Sequence, residues 1–340
     1  MTPSLSVRTV DYHTAGEPFR IVPEIGIPVE GADVASKRVS AMASPAIDRV
    51  RQLLCFEPRG HADMYGGFIV PPDDDGAHFG VLFWHKDGFS TACGHGTIAL
   101  GVWAVDSGLV AAADDGVTTV TVDVPSGRVA ASVERVAGRT TRVTFRNVPS
   151  YVIARGVPVS TSRGDVLVDL SYSGAIYASL RASDVGLAVT PENYTELIAI
   201  GREVKWLLND SDHATHPADE RLSGVYGTIL FDELAATASG PHQRNVTVFA
   251  DGEVDRSPCG SGTGARVALL ADSGALLPDQ TLRHESIVGT LFEAAFEPGP
   301  IAEHGVATVV PEVTGSAHKT GEHLFVLDAD DELGTGFVLR

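Results

Sequence analysis

The sequence predicts a mixed α/β protein made of two halves built to one design. Three observations point there. At 340 residues the chain is longer than one hydrophobic core usually serves. Its apolar residues mark many short strands and only a few helices. And eighteen residues starting at Cys93 recur, without gaps, starting at Cys259.

The elements follow in order. SVRTVDYHTAGEPFRIV alternates apolar and polar residues about a Gly-Glu-Pro interruption, which predicts two extended pieces joined at a turn. In SPAIDRVRQLLCFEPRG, Ile47, Val50, Leu53 and Leu54 fall at helical spacing, and Pro58 and Gly60 end the helix. AHFGVLFWHKDG reads as a buried strand closing in a turn. ACGHGTIALGVWAVDSGLV is helical from about Gly96, with Gly108 placed to cap it. TTVTVDV, GRVAASVERV and TRVTFRNV are strands between turns, and a second unit begins near Ser150. That unit carries the strands VLVDLSY, GTILFDE and RNVTVFADG. Its helix TPENYTELIAIGREVKWLLND has Thr190 and Asn193 competing as N-cap and Leu197, Ile200, Val204 and Leu207 on one face. A second helix follows SPCGSGTG and ends near Gly274, and the last 60 residues return to strands and turns.

Composition narrows the function. The formal charge is −19, from 25 Lys and Arg against 44 Asp and Glu, with no basic run interleaved with aromatics, so nucleic acid is not an expected partner. No apolar run approaches a membrane span and MTPSLSVRTV lacks a signal-peptide core, so no membrane partner is expected and the protein reads as cytoplasmic. Three cysteines form no disulfide framework, and each must be explained singly. No Rossmann glycine pattern or P-loop is present.

The recurrence sets CGHGTIALGVWAVDSGLV over CGSGTGARVALLADSGAL, eight identities in eighteen positions at an offset of 166 residues. Each half thus supplies a strand, a Cys-Gly-x-Gly-Thr turn and a helix. A helix start presents unpaired N–H groups and partial positive charge, and glycine lets an anion such as a carboxylate approach the backbone. The same field favours thiolate over thiol. Two such turns on opposite sides of one carbon describe a two-base racemase. One thiolate removes the proton alpha to a carboxylate, and the opposed thiol returns another to the other face, without a cofactor. The ligand is then a small-molecule acid. A lone cysteine is more often a buried small hydrophobe. Cys55, among apolar neighbours in LLCFEPRG, fits that description, whereas Cys93 and Cys259 would have to fall by accident at matching places. A zinc site is not expected, since Cys93-x-His95 lacks a second spaced pair, and no other metal is implied.

At these residues the chain resembles the proline racemase family, which includes hydroxyproline 2-epimerases and trans-3-hydroxy-L-proline dehydratases. The resemblance runs nearly end to end, through DYHTAGEPFRIV, FEPRGHADMYGG, STACGHGTIAL and RNVTVFADGEVDRSPCG. It implies a diaminopimelate-epimerase-like fold of two pseudo-symmetric domains, each a twisted sheet around a central helix, with the active site between them. Residues 1–150 would form the first, rejoined by about 320–340, and 151–319 the second. It further implies Cys93 and Cys259 as the catalytic pair and Gly94, His95, Gly260 and Ser261 as the carboxylate-holding backbone. Asp255, with His95, falls where the ring nitrogen is bound, and Tyr65 and Phe249 where aromatics meet the ring. From the residues alone, Phe249 is equally a core strand residue, Asp255 a turn former and His95 a solvent-facing histidine. Glu57, Arg59, His61 and Glu17 are expected in a supporting polar network beneath the cleft, and His13 and His216 as structural histidines.

Dehydratases of the family usually carry Thr at the second thiol position, so Cys259 favours epimerisation. Two features lean the other way: Ser261 stands where the racemase turn has Thr, and HFGVLFWHKDGFSTACGHG is closer to the dehydratase branch. The expected activity is 4-hydroxyproline 2-epimerisation, with proline racemisation or trans-3-hydroxy-L-proline dehydration as alternatives. Diaminopimelate epimerase is disfavoured by the DRSP run before Cys259, and a thiol redox switch or an imino-acid binder leaves less explained. A homodimer is compatible with the sequence but not required by it.

Overall fold

The computed structural model describes residues 5–302 and 305–339, so the outermost limits of the expected first domain, residues 1–4 and 340, lie outside it. The chain divides into two compact units. The first comprises residues 1–14, 18–141 and 316–340, and the second residues 15–17 and 142–315. The sequence reading had set these limits at 150 and about 320.

The first unit begins with β1 (Leu5–Thr14) and β2 (Glu17–Val22), then α1 (Val34–Ala43), α2 (Pro45–Cys55), β3 (Gly66–Val70), β4 (Phe79–His85), β5 (Gly88–Phe89), α3 (Gly94–Asp106), β6 (Gly116–Val124) and β7 (Gly127–Val136). β8 (Arg139–Arg146) carries the chain onward. β2 runs parallel to β3, β3 antiparallel to β4, β4 parallel to β6, and β6 antiparallel to β7. α2 starts on Ser44, whose hydroxyl accepts the Ile47 N–H, with Pro45 in the first turn. Its expected apolar face, Ile47, Val50, Leu53 and Leu54, packs with Phe68, Leu82 and Trp84 in one core. Each such side chain, taken fully from water, contributes ~1.5–3 kcal/mol. The sequence reading had no helix at α1. Its buried face holds only Val34, Lys37 and Ala41, too thin a stripe to show as periodicity.

The second unit holds β9 (Tyr151–Thr161), β10 (Gly164–Tyr172), β11 (Ile176–Arg181), α4 (Tyr194–Asn209), β12 (Val225–Glu233), β13 (His242–Phe249), β14 (Glu253–Asp255), α5 (Gly260–Asp272), β15 (Leu282–Ser286), β16 (Leu291–Ile301) and β17 (Ala307–Gly315). Its strands pair in the order β9, β10, β11, β12, β13, β15, β16, β17 and β8, with β14 folded back on β13. A bridge from Ser150 to Val309 brings the two ends of that sheet together. α5 packs against β9, β10, β16 and β17, so the sheet curls around it. Thr190 stands at the N-cap position of a short 3-10 turn and Asn193 at that of α4, and neither makes a side-chain capping hydrogen bond. Leu208, not Leu207, completes the α4 face, and Leu207 is 45% exposed. At about 100° per residue, position 208 falls about 20° from Leu197 around the helix and position 207 about 80° away.

β18 (Ala317–Leu327) returns to the first unit and pairs antiparallel with β1, from Leu5 opposite Leu327 to Thr14 opposite Ala317. Glu57, Arg59 and His61, expected in a supporting polar network, meet residues beyond β18 and their own loop. Glu57 exchanges backbone hydrogen bonds with Phe337, Arg59 pairs with Asp331 at 2.7 Å, and His61 Nδ1 accepts the Asp63 N–H. Among the described residues no helix is long and apolar enough to cross a membrane.

Candidate active site

The two helices that follow the cysteines match in detail. α3 and α5 are each 13 residues long, each has a cysteine as N-cap, and each ends on a serine followed by a glycine of positive φ, Gly108 at 74° and Gly274 at 72°. The Cys93 sulfur accepts the Gly96 N–H at 3.2 Å and the Cys259 sulfur the Gly262 N–H at 3.3 Å. Thiols here take the place of the usual Ser or Asp cap, and a glycine stands three residues on, where a side chain would crowd the sulfur. A Cβ on Gly96 would stand 2.7 Å from Cys93 Sγ, and one on Gly262 2.9 Å from Cys259 Sγ. By helix geometry the N–H groups of residues 94, 95, 260 and 261 face off the helix ends, toward whatever each sulfur addresses.

In the first unit, Gly94 and His95 form the first turn of α3, buried with Cys93. The ring nitrogens of His95 lie 3.5 and 3.6 Å from the Cys93 sulfur, so the histidine is not solvent-facing. Thr14 donates to its carbonyl at 2.9 Å, and Tyr65 and Phe19 meet its ring edge-on at 5.1 and 5.9 Å. Tyr65 itself is 1% exposed and shares a short hydrogen bond with the Ser90 hydroxyl. The structure therefore brings Cys93, Gly94, His95 and Tyr65 together. Phe19 and Ser90 were missed; Phe19 sits in the GEPF turn region and resembles any core aromatic in sequence.

In the second unit, β14 delivers Asp255 opposite Thr247 of β13, and the chain turns through Ser257 into Cys259. Ser257 donates twice to Asp255 Oδ1, from its N–H at 2.8 Å and its hydroxyl at 2.6 Å, and its hydroxyl accepts the Cys259 N–H at 3.0 Å. Glu17, counted with this unit, accepts the Arg256 N–H at 2.7 Å. Ser261 Oγ lies 2.7 Å from the Tyr177 hydroxyl, Tyr177 meets Tyr226 edge-on, and Tyr226 stacks on Phe249 at 5.5 Å. Asp255, Cys259, Gly260 and Ser261 thus adjoin one another, with Phe249 joined to them through the two tyrosines. Thr247, Ser257 and Tyr177 were missed, and only Ser257, two residues before the cysteine, lay where the sequence could have signalled it.

Two properties set Cys259 apart. Its backbone sits at φ 62° and ψ 111°, against an ordinary extended −155° and 101° at Cys93. A non-glycine residue held there costs about 1–3 kcal/mol. The helix-end field was expected to favour its thiolate. Instead burial pushes the thiol well above its usual range, the Asp255 charge raises it further, and the Gly262 N–H only partly opposes them. Both effects favour the protonated thiol, which hydrogen-bonds to Asp255. Cys55 is the core residue expected, 1% exposed and donating to the Met64 carbonyl. His216 accepts two backbone N–H groups and meets the Tyr151 hydroxyl, and His13 stands against the His318 ring, both structural roles.

A sequence profile described as "Proline racemase" matches residues 9–338. The chain is 40% identical over 339 residues to a trans-3-hydroxy-L-proline dehydratase of Colwellia psychrerythraea, covering 99% of this chain and 93% of that one. It is 42% identical over 341 residues to a trans-3-hydroxy-L-proline dehydratase of Burkholderia cenocepacia, covering 99% of each. The crystal structure of a hydroxyproline epimerase from Agrobacterium vitis, with bound trans-4-hydroxy-L-proline, has 28% identity and a TM-score of 0.89, over 98% of this chain and 96% of that one.

Proposed function

Because the chain belongs to the proline racemase family, we propose that it is a cofactor-independent epimerase that inverts the alpha carbon of a hydroxyproline, most specifically 4-hydroxyproline, with Cys93 and Cys259 as paired acid and base. The observation that carries this reading is the likeness of α3 and α5, two glycine-rich helix starts each capped by a cysteine sulfur. In the reaction, the substrate carboxylate lies before the helix starts, with N–H donors from Gly94, His95, Gly260 and Ser261. Negative charge moves onto that carboxylate as the alpha proton leaves, and fixed donors stabilise it. One sulfur takes the proton. The other, on the opposite face, supplies a replacement, and the configuration inverts.

The upward push on the Cys259 thiol supports a division of labour. For the epimer whose alpha hydrogen faces Cys93, Cys259 is the proton donor. For the other epimer it must become the base, and Asp255 supplies the means. A ring ammonium placed against Asp255 offsets the charge that, after burial, raises the thiol, so substrate binding removes part of what opposes loss of its proton. Aromatic area from Tyr65 and Phe249 suits the apolar ring.

The names of the two dehydratase relatives favour a second reading. There one sulfur removes the alpha proton, the C3–O bond breaks, and the hydroxyl leaves with a proton as water, giving pyrroline-2-carboxylate from trans-3-hydroxy-L-proline. One experiment separates the two. In deuterated water, the epimerase should convert trans-4-hydroxy-L-proline to alpha-deuterated cis-4-hydroxy-D-proline, and Cys93→Ser and Cys259→Ser should each abolish inversion. If only trans-3-hydroxy-L-proline reacts, losing water, the dehydratase reading replaces it. Inertness toward every proline derivative defeats both.

A further inference from the structure

The two cysteine turns differ in what holds the peptide before the sulfur. In the first unit Thr97, the fourth residue after Cys93, donates its hydroxyl to the carbonyl of Cys93 itself at 2.8 Å. Thr263, at the matching place after Cys259, donates instead to the Pro258 carbonyl at 3.1 Å. That carbonyl has a second donor, Asn245 Nδ2, also at 3.1 Å, and Asn245 is itself tied to the Glu285 carbonyl at 3.1 Å. The Ala92 carbonyl, the counterpart in the first unit, has the Ser90 hydroxyl at 3.5 Å.

A third group fixes the direction of these bonds. His284 Nδ1 lies 2.8 Å from the Thr263 hydroxyl. A threonine hydroxyl has one hydrogen. Having given it to Pro258, Thr263 accepts from His284, which must then carry its proton on Nδ1. Consistently, His284 Nε2 is buried and has no partner among the described residues, as a bare acceptor nitrogen would be. Burial, with Arg266 and His242 nearby, lowers His284 to about 3, so the ring stays neutral, with one ring nitrogen a donor and the other an acceptor. Asn245, Thr263 and His284 are all fully buried, and β13 and β15 place Asn245 and His284 on neighbouring parallel strands.

From this geometry we infer that Asn245, Thr263 and His284 are positioning residues that pin the Pro258–Cys259 peptide and thereby hold Cys259 at its positive φ, with its sulfur aimed for proton transfer. The inference rests on the proposed acid–base role of Cys259. It explains why a strained conformation occurs at one of the two cysteines and not the other. Relaxing φ at Cys259 requires that peptide to rotate, and rotation breaks both hydrogen bonds to Pro258.

The test is steady-state kinetics on whichever proline derivative the wild-type enzyme turns over. Thr263→Val should lower kcat by about 10- to 100-fold, the loss expected when a reacting group is displaced by a fraction of an ångström to an ångström. KM should stay within about twofold, since the carboxylate donors are untouched. Thr263→Ser keeps the hydroxyl and should restore most of kcat, which a purely structural role would not require. Should Thr263→Val fail to fold, Asn245→Ala removes the other donor and must show the same split between kcat and KM. A folded variant with wild-type kcat, a change confined to KM, or no recovery in Thr263→Ser overturns the inference while leaving the proposed function intact. A wild-type enzyme inert toward all proline derivatives overturns the function instead.

Discussion

Replacing Gly96 by alanine isolates the role of the Cys93 sulfur. In an open helix this change stabilises by about 0.5–1 kcal/mol, because glycine has more backbone freedom to lose. Here the new methyl group points into an occupied site. It would stand 2.7 Å from Cys93 Sγ and closer still to Phe19 Cε2. Phe19 is fully buried and packed on Phe83, Tyr65 and His95, so it has no room to yield. Relieving both contacts therefore shifts the first turn of α3 away from Phe19 and turns the sulfur about its single torsion. Ordinary contact begins near 3.4 Å, which requires a shift of about 0.7 Å and weakens the Gly96 N–H cap. Overpacking of this kind costs about 1–3 kcal/mol, so net destabilisation of about 1–2 kcal/mol should remain after the helix gain. The displaced base should lower kcat by about 10- to 100-fold. Thermal unfolding followed by circular dichroism gives the first quantity, and the rate of alpha-deuterium incorporation into hydroxyproline gives the second. Gly262→Ala, with its nearest contact to Cys259 Sγ at 2.9 Å, should be milder on both. Gly96→Ala enzyme with kcat within about threefold of wild type and undiminished stability would refute the placement of Cys93 as a base beside that turn.

Three further outcomes are expected. Arg20→Met should destabilise the protein by about 3–5 kcal/mol, because it leaves Asp11 charged and buried; Arg20 now gives Asp11 bonds of 2.8 to 3.2 Å and two more to the Leu54 and Arg59 carbonyls. Urea unfolding measures it, and a loss under about 1 kcal/mol would contradict the ion pair's importance. Asp255→Asn should make Cys259 react faster with iodoacetamide at fixed pH while turnover falls, since a charge that raises the thiol is removed; unchanged labelling of Cys259 would count against the coupling. His284, lowered to about 3 in the folded protein from an ordinary 6.5, should steepen acid unfolding. The unfolded chain takes up a proton that the folded one refuses, so this contribution is complete above 6.5 and is lost toward pH 3, at about 1.4 kcal/mol per unit. His284→Asn should show a correspondingly shallower decline in stability over that window, and equal slopes would show that the histidine is not buried as described.

Local chemistry was legible in the sequence and long-range pairing was not. Cys93 and Cys259 could be found because each sits in a contiguous turn with the same glycines, and the helices after them end on the same Ser-Gly pair. Gly94, His95, Gly260 and Ser261 came from the family resemblance at those turns. The residues that shape the second cysteine came from elsewhere: Asn245 and Thr247 from β13, His284 from β15 and Tyr177 from β11, where each reads as an unremarkable strand residue. The thiol expectation failed for the same reason. A helix-end field can be read from a turn, but burial and the approach of Asp255 belong to the folded unit. In α4 the period identified the helix, while a one-residue slip in its face, Leu207 for Leu208, needed the packed partner to resolve.

The pairing of β1 with β18 gives the chain an unusual order of completion. Leu5 is made long before its partner Leu327. During synthesis the second unit, almost wholly contained in residues 142–315, leaves the ribosome whole while the first still lacks a strand. β1, with Val7 and Tyr12 destined for the interior, must therefore wait until the second unit has been made before it can be sealed, and the clasp of Arg59 on Asp331 closes later still.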